Sequence, residues 1–134
     1  MKVVGLDGKI YYWQIYKNNY QENKSTYHIK AIKVIKDLFP LENIIEEIYL
    51  PGTNNLRLDF YLKIHKTAIE VQGEQHYKFI PFFHKNIFEY LNSQKRDKDK
   101  ELWCYLNKIT LIKLDYREIN EWKQRIIENI KTSR

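Results

Sequence analysis

The stretch of residues 56–76 constrains the fold of this chain more than any other, because it predicts two short strands joined by a tight turn. In the first strand, Leu58, Phe60 and Leu62 alternate with more polar residues. Residues 68–72 alternate in a similar way. A period of two indicates a strand with one buried face, so the stretch predicts a β-hairpin packed on a core.

The turn of this hairpin determines which polar side chains meet. If the turn centres on Ile64 and His65, Asp59 lies opposite Glu70, on the face that also carries Gln72. Directly opposed strand residues have Cβ atoms roughly 4.5–5.5 Å apart. Two carboxylates at that distance repel each other unless a cation lies between them, and Mg²⁺ is commonly held by one or two carboxylates with waters and phosphate. The spacing indicates a magnesium-type site.

An ordinary hairpin would explain the same residues without a metal. Asp59 could pair with Arg57 or Lys63, and Glu70 could be a solvated strand residue. The segment that follows, residues 73–77 with the sequence GEQHY, places further polar groups at the same end of the sheet and favours the metal site.

These residues also form a recognisable pattern. Asp59 stands eleven positions before the run EVQGEQHY at residues 70–77, and an RDxxK motif follows at residues 96–100. In this pattern the chain resembles the PD-(D/E)XK nuclease superfamily, in particular the small branch of phage-type, homing and very-short-patch repair endonucleases. The resemblance covers roughly residues 25–118.

The resemblance implies a compact, restriction-endonuclease-like α/β sandwich, with a mixed central sheet of about four strands flanked by helices. It implies that Asp59, Glu70 and the carbonyl of Val71 hold Mg²⁺, with Mn²⁺ as a substitute. Gln72 departs from the family, because that position usually carries a lysine. His76 matches histidines that assist cleavage in the repair endonucleases, so we expect it to help proton transfer; a structural role is the alternative.

The missing positive charge has candidates on the next predicted helix, residues 86–106. Arg96 and Lys100 are i, i+4 neighbours and share a broad helix face with Asp97. A charge run of this kind is ordinarily a solvated face crossed by weak ion pairs. The functional alternative is that Lys100 or Arg96 replaces the lysine missing at Gln72, while Gln94 orients water.

His28 leads the apolar face of a helix predicted from Ser25 to the residue before Pro40. Many members of the superfamily carry a metal-supporting Glu near the start of this helix. Here the inward residue is His28, which we interpret as a packed or supporting residue, with metal ligation as the alternative.

The next strand, residues 43–50, carries two adjacent acids on opposite faces, and only one of them can point toward the Asp59 side chain. Glu46 shares its face with Ile44, Ile48 and Leu50, so we expect Glu46 to point inward. Glu47 is the alternative.

The ends of the chain predict further elements of one compact domain. Residues 1–24 predict a hairpin or flap that turns at Asp7-Gly8, and residues 25–134 the nuclease-like domain. Ile109 to Leu114 predict a strand beside the Glu70 strand, followed by a final helix. The aromatic residues in 16–20 and 77–83 suit either base stacking or packing.

Charge indicates the class of partner. The formal net charge is +6, and residues 85–134 hold twelve Lys or Arg against eight Asp or Glu. A basic balance favours a phosphate backbone as partner, and the family resemblance makes this double-stranded DNA. We expect Arg57, Lys78, Lys95 and Arg96 to contact it.

Composition excludes several other classes of protein. No run approaches the roughly 18 apolar residues of a membrane span, and the lone Cys104 excludes an internal disulfide. We therefore expect a cytoplasmic protein without membrane association that is a monomer or weak homodimer. A phage-encoded protein that acts in a bacterial host is one candidate of this kind.

Three functions follow from the sequence. The first is a magnesium-dependent DNA endonuclease that nicks as a monomer. The second is a nuclease-fold module that binds nucleic acid with little or no cleavage. The third is a structural subunit that docks another protein through its N-terminal and aromatic segments.

Overall fold

The computed structural model describes residues 1–15, 25–74 and 86–132. In chain order the elements are β1 (Lys2–Val4), β2 (Ile10–Tyr12), α1 (Thr26–Leu38), β3 (Ile44–Tyr49), β4 (Arg57–Leu62), β5 (Thr67–Gln72), α2 (Ile87–Leu106), β6 (Thr110–Asp115), a 3-10 segment (Tyr116–Glu121) and α3 (Trp122–Thr132). His76 and Lys78, two of the predicted functional residues, lie outside the described residues, as do the aromatic residues of 16–20 and 77–83.

The four long strands form one mixed sheet in the order β3-β4-β5-β6. The pairs β3–β4 and β4–β5 are antiparallel, whereas β6 lies parallel to β5. A parallel neighbour requires a crossover connection, and the segment containing α2 provides it. β1 and β2 pair separately as an antiparallel hairpin. The predicted α/β fold with a four-stranded mixed sheet and an N-terminal hairpin is therefore confirmed.

The helices begin and end where the sequence has its capping residues. Ser25 caps α1, since its hydroxyl accepts a hydrogen bond from the backbone N–H of His28 at 3.1 Å. Asn86 caps α2 in the same way through the N–H of Glu89 at 3.0 Å. α1 ends at Leu38, directly before Phe39 and Pro40. The predicted final helix is α3, and the 3-10 segment lies between it and β6.

Two apolar clusters cover the two faces of the sheet, which makes a three-layer structure. What we call the first core lies on the side of α2 and the hairpin and contains Val3, Trp13, Ile45, Ile48, Leu50, Leu56, Leu58, Tyr61, Ala68, Trp103, Cys104 and Ile109. The second core lies on the side of α1 and α3 and contains Ala31, Ile35, Ile44, Phe60, Leu62, Ile69, Ile112, Leu114, Trp122, Ile126 and Ile130.

Burial of both faces corrects the prediction of a half-exposed hairpin. Tyr61, expected on a polar face, is fully buried in the first core. Leu58 also lies in the first core, whereas Phe60 and Leu62 lie in the second. Strict alternation fails because β4 is a central strand with helices over both faces, and because the strand changes face at Asp59.

The N-terminal hairpin is an integral part of the first core. The side-chain amide of Asn107, at the end of α2, bonds both the N–H and the carbonyl of Val4 at 2.7 and 2.9 Å. The N–H of Leu6 donates to the carbonyl of Gly52 at 2.9 Å. A Cβ on Gly5 would lie 2.6 Å from the Gly52 Cα, so the close approach of the two chains needs glycine. Residues 1–15 therefore pack on the main domain.

Trp13 anchors this hairpin, and we expect Trp13→Ala to lower the free energy of unfolding by about 3–5 kcal/mol. Its ring lies 4.7 Å from the Tyr61 ring and 5.0 Å from the Trp103 ring, and its Nε1 donates to the Tyr49 carbonyl at 2.9 Å. Tyr12→Ala is the matched control, since Tyr12 is 72% exposed. Urea denaturation measures both, and equal midpoints for the two variants would contradict the integral role of the hairpin.

Candidate functional site

The sheet opens at its centre, at the level of Asp59. The ladder between β4 and β5 runs from Leu62↔Thr67 to Phe60↔Ile69. Beyond that point β4 continues to pair with β3, and β5 continues to pair with β6 as far as Gln72. The two central strands thus stop pairing with each other while each keeps its outer partner, and a crevice between them is available to side chains. This register agrees with the prediction that Asp59 lies opposite Glu70, because Phe60↔Ile69 is the last pair of the ladder and these two residues follow it.

Asp59 occupies this crevice in place of the missing backbone pairing. Its Oδ2 accepts a hydrogen bond from the backbone N–H of Val71 at 2.8 Å. The bond satisfies an amide that the ladder no longer pairs, and it holds the carboxylate against the β5 backbone. Asp59 is close enough to Glu70 to influence the ionisation of that carboxyl directly.

Glu70 is a buried acid that is paired with a lysine from another element. Only 4% of Glu70 is exposed, and the Lys100 Nζ of α2 lies 2.9 Å from its Oε1. Apart from this ammonium, Oε1 has no hydrogen-bond partner among the residues that the structure describes. The lysine predicted to replace the missing motif lysine therefore reaches the same carboxylate from the α2 side of the sheet.

The ionisation of the site reflects crowding of two acids around one base. Burial raises the pKa of the Glu70 carboxyl well above its ordinary value, and the neighbouring Asp59 raises it further, while Lys100 lowers it. Burial by itself would lower the pKa of the Lys100 ammonium, but Glu70, then Asp59 and Asp97, outweigh it and raise that pKa. Lys100 is thus a permanent cation beside an acid that is costly to ionise.

The other predicted residues of α2 and β5 have different positions. Gln72 is 6% exposed and follows Glu70 by two positions on the same strand, so both side chains point to the same face. Arg96 is exposed, and Lys100 is therefore the cation that meets Glu70. The remaining predicted α2 residues are Gln94 and Asp97, both half-buried, and Lys95, which is exposed and pairs with Asp99 at 2.9 Å.

A second group of polar side chains lies around the same Asp59. One ring nitrogen of His28, one carboxylate oxygen of Glu47 and one of Asp59 lie within 4.8 Å of one another. The His28 Nε2 lies 2.9 Å from Glu46 Oε1, and its Nδ1 lies 3.9 Å from Glu47 Oε1. Asp59 therefore links the His28 group to the Glu70–Lys100 pair.

The prediction that Glu46 points toward Asp59 is wrong, because β3 changes its backbone at Glu47. Glu47 has φ 53°, in the left-handed region, and its pairing with Asp59 is missing from a ladder that resumes at Ile48↔Leu58. The side chains of β3 therefore change face at this point, since Ile44 lies in the second core but Ile48 and Leu50 lie in the first. Glu46 does not share their face, and it binds His28 instead.

Glu47 is the site residue that sequence reasoning did not select. The adjacent pair of glutamates was the available signal, but a left-handed non-glycine residue cannot be read from local pattern. Such a conformation costs about 1–2 kcal/mol and persists only where the surrounding structure imposes it. The strain lies directly beside the polar cluster.

Arg57 lies at the edge of the same cluster. Its Nε is 3.8 Å from Glu47 Oε2, and its guanidinium lies 5.4 Å from the centre of the exposed Tyr49 ring. The side chain is 35% exposed, so Arg57 is accessible to a ligand that approaches the acids. A positive charge in this place suits an anion and partly neutralises Glu47.

The donor set fits a divalent cation. Asp59 and Glu70 provide carboxylate oxygens in a crevice, a buried Oε1 is satisfied only by an ammonium among the described residues, and oxygen donors are those that Mg²⁺ prefers. The arrangement therefore combines a place for a cation with a fixed lysine and a buried amide at Gln72. This combination suits chemistry on a phosphate ester.

Comparison with known proteins adds relatives but no activity. No family model matches the chain, and no solved structure matches it significantly. The chain is 46% identical over 65 residues to uncharacterized protein 307L of Invertebrate iridescent virus 6, with 48% of this chain and 33% of that protein covered. It is 38% identical over 63 residues to uncharacterized protein 033L of Invertebrate iridescent virus 3, with 47% and 32% covered.

A third relative is uncharacterized protein 094L of Frog virus 3, which is 39% identical over 75 residues, with 54% of this chain and 48% of that protein covered. The chain thus spans about a third to a half of the length of these curated relatives. All three are proteins of animal viruses, so the expectation of a phage protein in a bacterial host stays a prediction. Among the described residues, no helix is long and apolar enough to cross a membrane.

Proposed function

We propose that this protein is a metal-dependent endonuclease that hydrolyses DNA phosphodiester bonds on a restriction-endonuclease-like α/β sandwich. The observation that carries the proposal is the convergence of Asp59, Glu70 and Lys100, from three different elements, in the crevice where β4 and β5 separate. If the hairpin had no function beyond the fold, there would be no need for Lys100 of the distant helix α2 to be buried against the Glu70 carboxylate.

Asp59 and Glu70, with the Val71 carbonyl, would hold Mg²⁺, or Mn²⁺ in its place. When bound, the cation supplies a Lewis acid that polarises the phosphate and lowers the pKa of the attacking water. The chain supplies the rest. The Val71 N–H holds the Asp59 carboxylate at 2.8 Å, and the Glu70 carboxylate is held by Lys100 at 2.9 Å. Both acids are therefore oriented in advance.

Lys100 would also stabilise the negative charge that develops on the phosphate, since its ammonium stays protonated and is fixed beside Glu70. Gln72, buried on the same face, would orient the water. Arg57 would contact the DNA backbone at the edge of the site, and the exposed Lys95 and Arg96 would extend that contact along α2. We keep His76 as the proposed proton-transfer residue. A monomer acting alone would nick one strand.

Cleavage of supercoiled plasmid DNA tests the proposal. We use a plasmid pool with random inserts, so that a sequence preference does not hide activity, and add Mg²⁺, Mn²⁺ or EDTA. The wild type and Asp37→Asn should nick the pool with either metal, since Asp37 is exposed on α1. Asp59→Asn and the EDTA samples should leave it intact. Equal nicking by Asp59→Asn would show that the site is wrongly assigned.

A nucleic-acid-binding module without efficient cleavage is the second candidate, and the presence of Gln72 at the usual lysine position favours it. The same pool separates the two functions by a gel-shift measurement at several salt concentrations. Salt-sensitive binding of intact DNA with Mg²⁺ present would support the module. Weak DNA binding under all conditions would instead favour a role in docking another protein.

A further inference from the structure

The imidazole of His28 is held in one orientation by two neighbours. Its ring packs on Phe60 with 4.5 Å between the ring centres and 34° between the planes. The Nε2 lies 2.9 Å from Glu46 Oε1, a hydrogen-bond distance. A carboxylate that accepts from one ring nitrogen selects the tautomer in which the other nitrogen carries a lone pair.

That other nitrogen points into a group of acids. Nδ1 lies 3.9 Å from Glu47 Oε1, beyond hydrogen-bond distance, and it has no hydrogen-bond partner within the described parts of the chain. His28 is only 6% exposed, so its ring lies almost entirely within the protein. Glu47 and Asp59 each place one carboxylate oxygen within 4.8 Å of a His28 ring nitrogen and of each other.

We propose that His28, Glu47 and Asp59 form a binding site for a transition-metal dication of the Mn²⁺ and Zn²⁺ class, with the imidazole Nδ1 as a direct ligand and Glu46 as its orienting partner. The site is distinct from the position between Asp59 and Glu70, although the two share Asp59. The inference goes beyond the proposed function, because the site would exist in a binding module as well as in a nuclease.

The chemistry of the ligands determines the class of metal. An imidazole with two carboxylates suits Mn²⁺, Fe²⁺, Co²⁺ or Zn²⁺, whereas Mg²⁺ and Ca²⁺ prefer oxygen donors alone. A metal-bound histidine commonly donates its second ring N–H to a carboxylate, which is the relation of His28 to Glu46. The left-handed backbone at Glu47 interrupts the alternation of β3, and both adjacent glutamates approach the same imidazole from different ring nitrogens. One acid can therefore orient the ring while the other acts as a ligand.

The competing explanation is a protonated His28 that forms ion pairs with both glutamates. Arg57, 3.8 Å from Glu47, already supplies one positive charge on that side. A protonated imidazole has no lone pair and cannot bind a metal. The two explanations therefore differ in whether nitrogen coordinates an added ion.

Electron spin-echo envelope modulation of Mn²⁺ added to the full chain detects this nitrogen directly. The wild type should show ¹⁴N modulation from a coordinated imidazole, and His28→Gln should lose it. By isothermal titration calorimetry, His28→Gln should weaken Mn²⁺ binding about 10-fold or more and Mg²⁺ binding less than about 3-fold. Absence of ¹⁴N modulation in the wild type, or its persistence in His28→Gln, would overturn the proposal.

His65→Gln is the matched control. His65 also lies against a carboxylate, with Nε2 2.8 Å from Glu42 Oε1, and against an aromatic ring, Phe39 at 4.9 Å, but it belongs to no such acid cluster among the described residues. Its loss should leave the modulation unchanged. If His28→Gln does not fold, Glu47→Gln provides a second variant in which the imidazole is intact. We expect Glu47→Gln to bind Mn²⁺ about 10-fold more weakly than the wild type. Unchanged Mn²⁺ binding by a folded Glu47→Gln would also overturn the proposal. None of these measurements involves DNA cleavage. The metal-site proposal can therefore be overturned while the proposed nuclease function stands, and the nuclease function can be overturned while the metal site stands.

Discussion

Lys100→Met is expected to lower the free energy of unfolding by about 3 kcal/mol near pH 8. The ammonium lies 2.9 Å from a Glu70 carboxylate that is 4% exposed, and methionine leaves this acid buried without its cation. Removing one partner of a buried ion pair costs more than removing both, because the remaining charge is uncompensated. Urea denaturation of the metal-free protein measures the change.

Two further variants separate charge from packing in this result. Lys98→Met is the matched control, because Lys98 is an exposed residue of the same helix. Lys100→Met combined with Glu70→Gln should recover most of the lost stability, since the buried charge is gone. A Lys100→Met protein as stable as Lys98→Met would show that the pair contributes nothing to the fold.

The same substitution should reduce DNA cleavage by roughly 10²–10³-fold, the effect of removing one preorganised electrostatic contact in an active site. The double variant should not recover cleavage, because it also lacks the Glu70 carboxylate. Stability and cleavage therefore respond differently in the double variant. Full cleavage by a folded Lys100→Met protein would exclude Lys100 as the replacement for the motif lysine and would return that role to Arg96.

The second large effect is a loss of stability with rising pH in the absence of metal. The pKa of Glu70 is raised in the folded protein, first by burial and then by Asp59. A group with a raised folded pKa stabilises the fold fully below its unfolded pKa, ordinarily 4.5 here, and this stabilisation is lost as the pH rises through the folded value. Among the described residues, Asp59, Lys100 and Cys104 interact electrostatically with Glu70.

We therefore expect the wild-type free energy of unfolding to decrease as the pH rises above the ordinary glutamate pKa of 4.5, relative to Glu70→Gln, which cannot ionise at this position. The difference between the two proteins removes the contribution of the ionisable groups that they share. Saturating Mg²⁺ should restore stability to the wild type at the higher pH, because a bound cation favours the ionised acid. Parallel pH profiles for wild type and Glu70→Gln would contradict the raised pKa.

Much of the hairpin could be predicted from the sequence because its register is a local property. The four-residue connection between Leu62 and Thr67 determines every pair that follows, so Asp59 and Glu70 had to approach each other. The helix caps at Ser25 and Asn86 are equally local, since each depends on a side chain within three positions of the amide that it binds.

The lysine of the site was predicted only as far as helix periodicity allows. Arg96 and Lys100 share a face of α2, and the spacing of i and i+4 cannot tell which of them meets the sheet. The crossover from β5 to β6 and the packing of Trp103 and Cys104 in the first core decide that α2 brings Lys100 to Glu70. Glu70 and Lys100 are thirty positions apart in the sequence, and this separation does not by itself indicate that their side chains meet.

The sequence alone determined the class of the fold, the strand register and the pair of acids, because these follow from residue periodicity and from one short turn. Tertiary structure alone decided that Glu47, and not Glu46, turns toward Asp59. That choice depends on a left-handed backbone at φ 53° in β3, which the two packed faces of the sheet impose against the local preference of a glutamate. The grouping of His28 with these acids has the same origin, since it requires α1 to pack over β4.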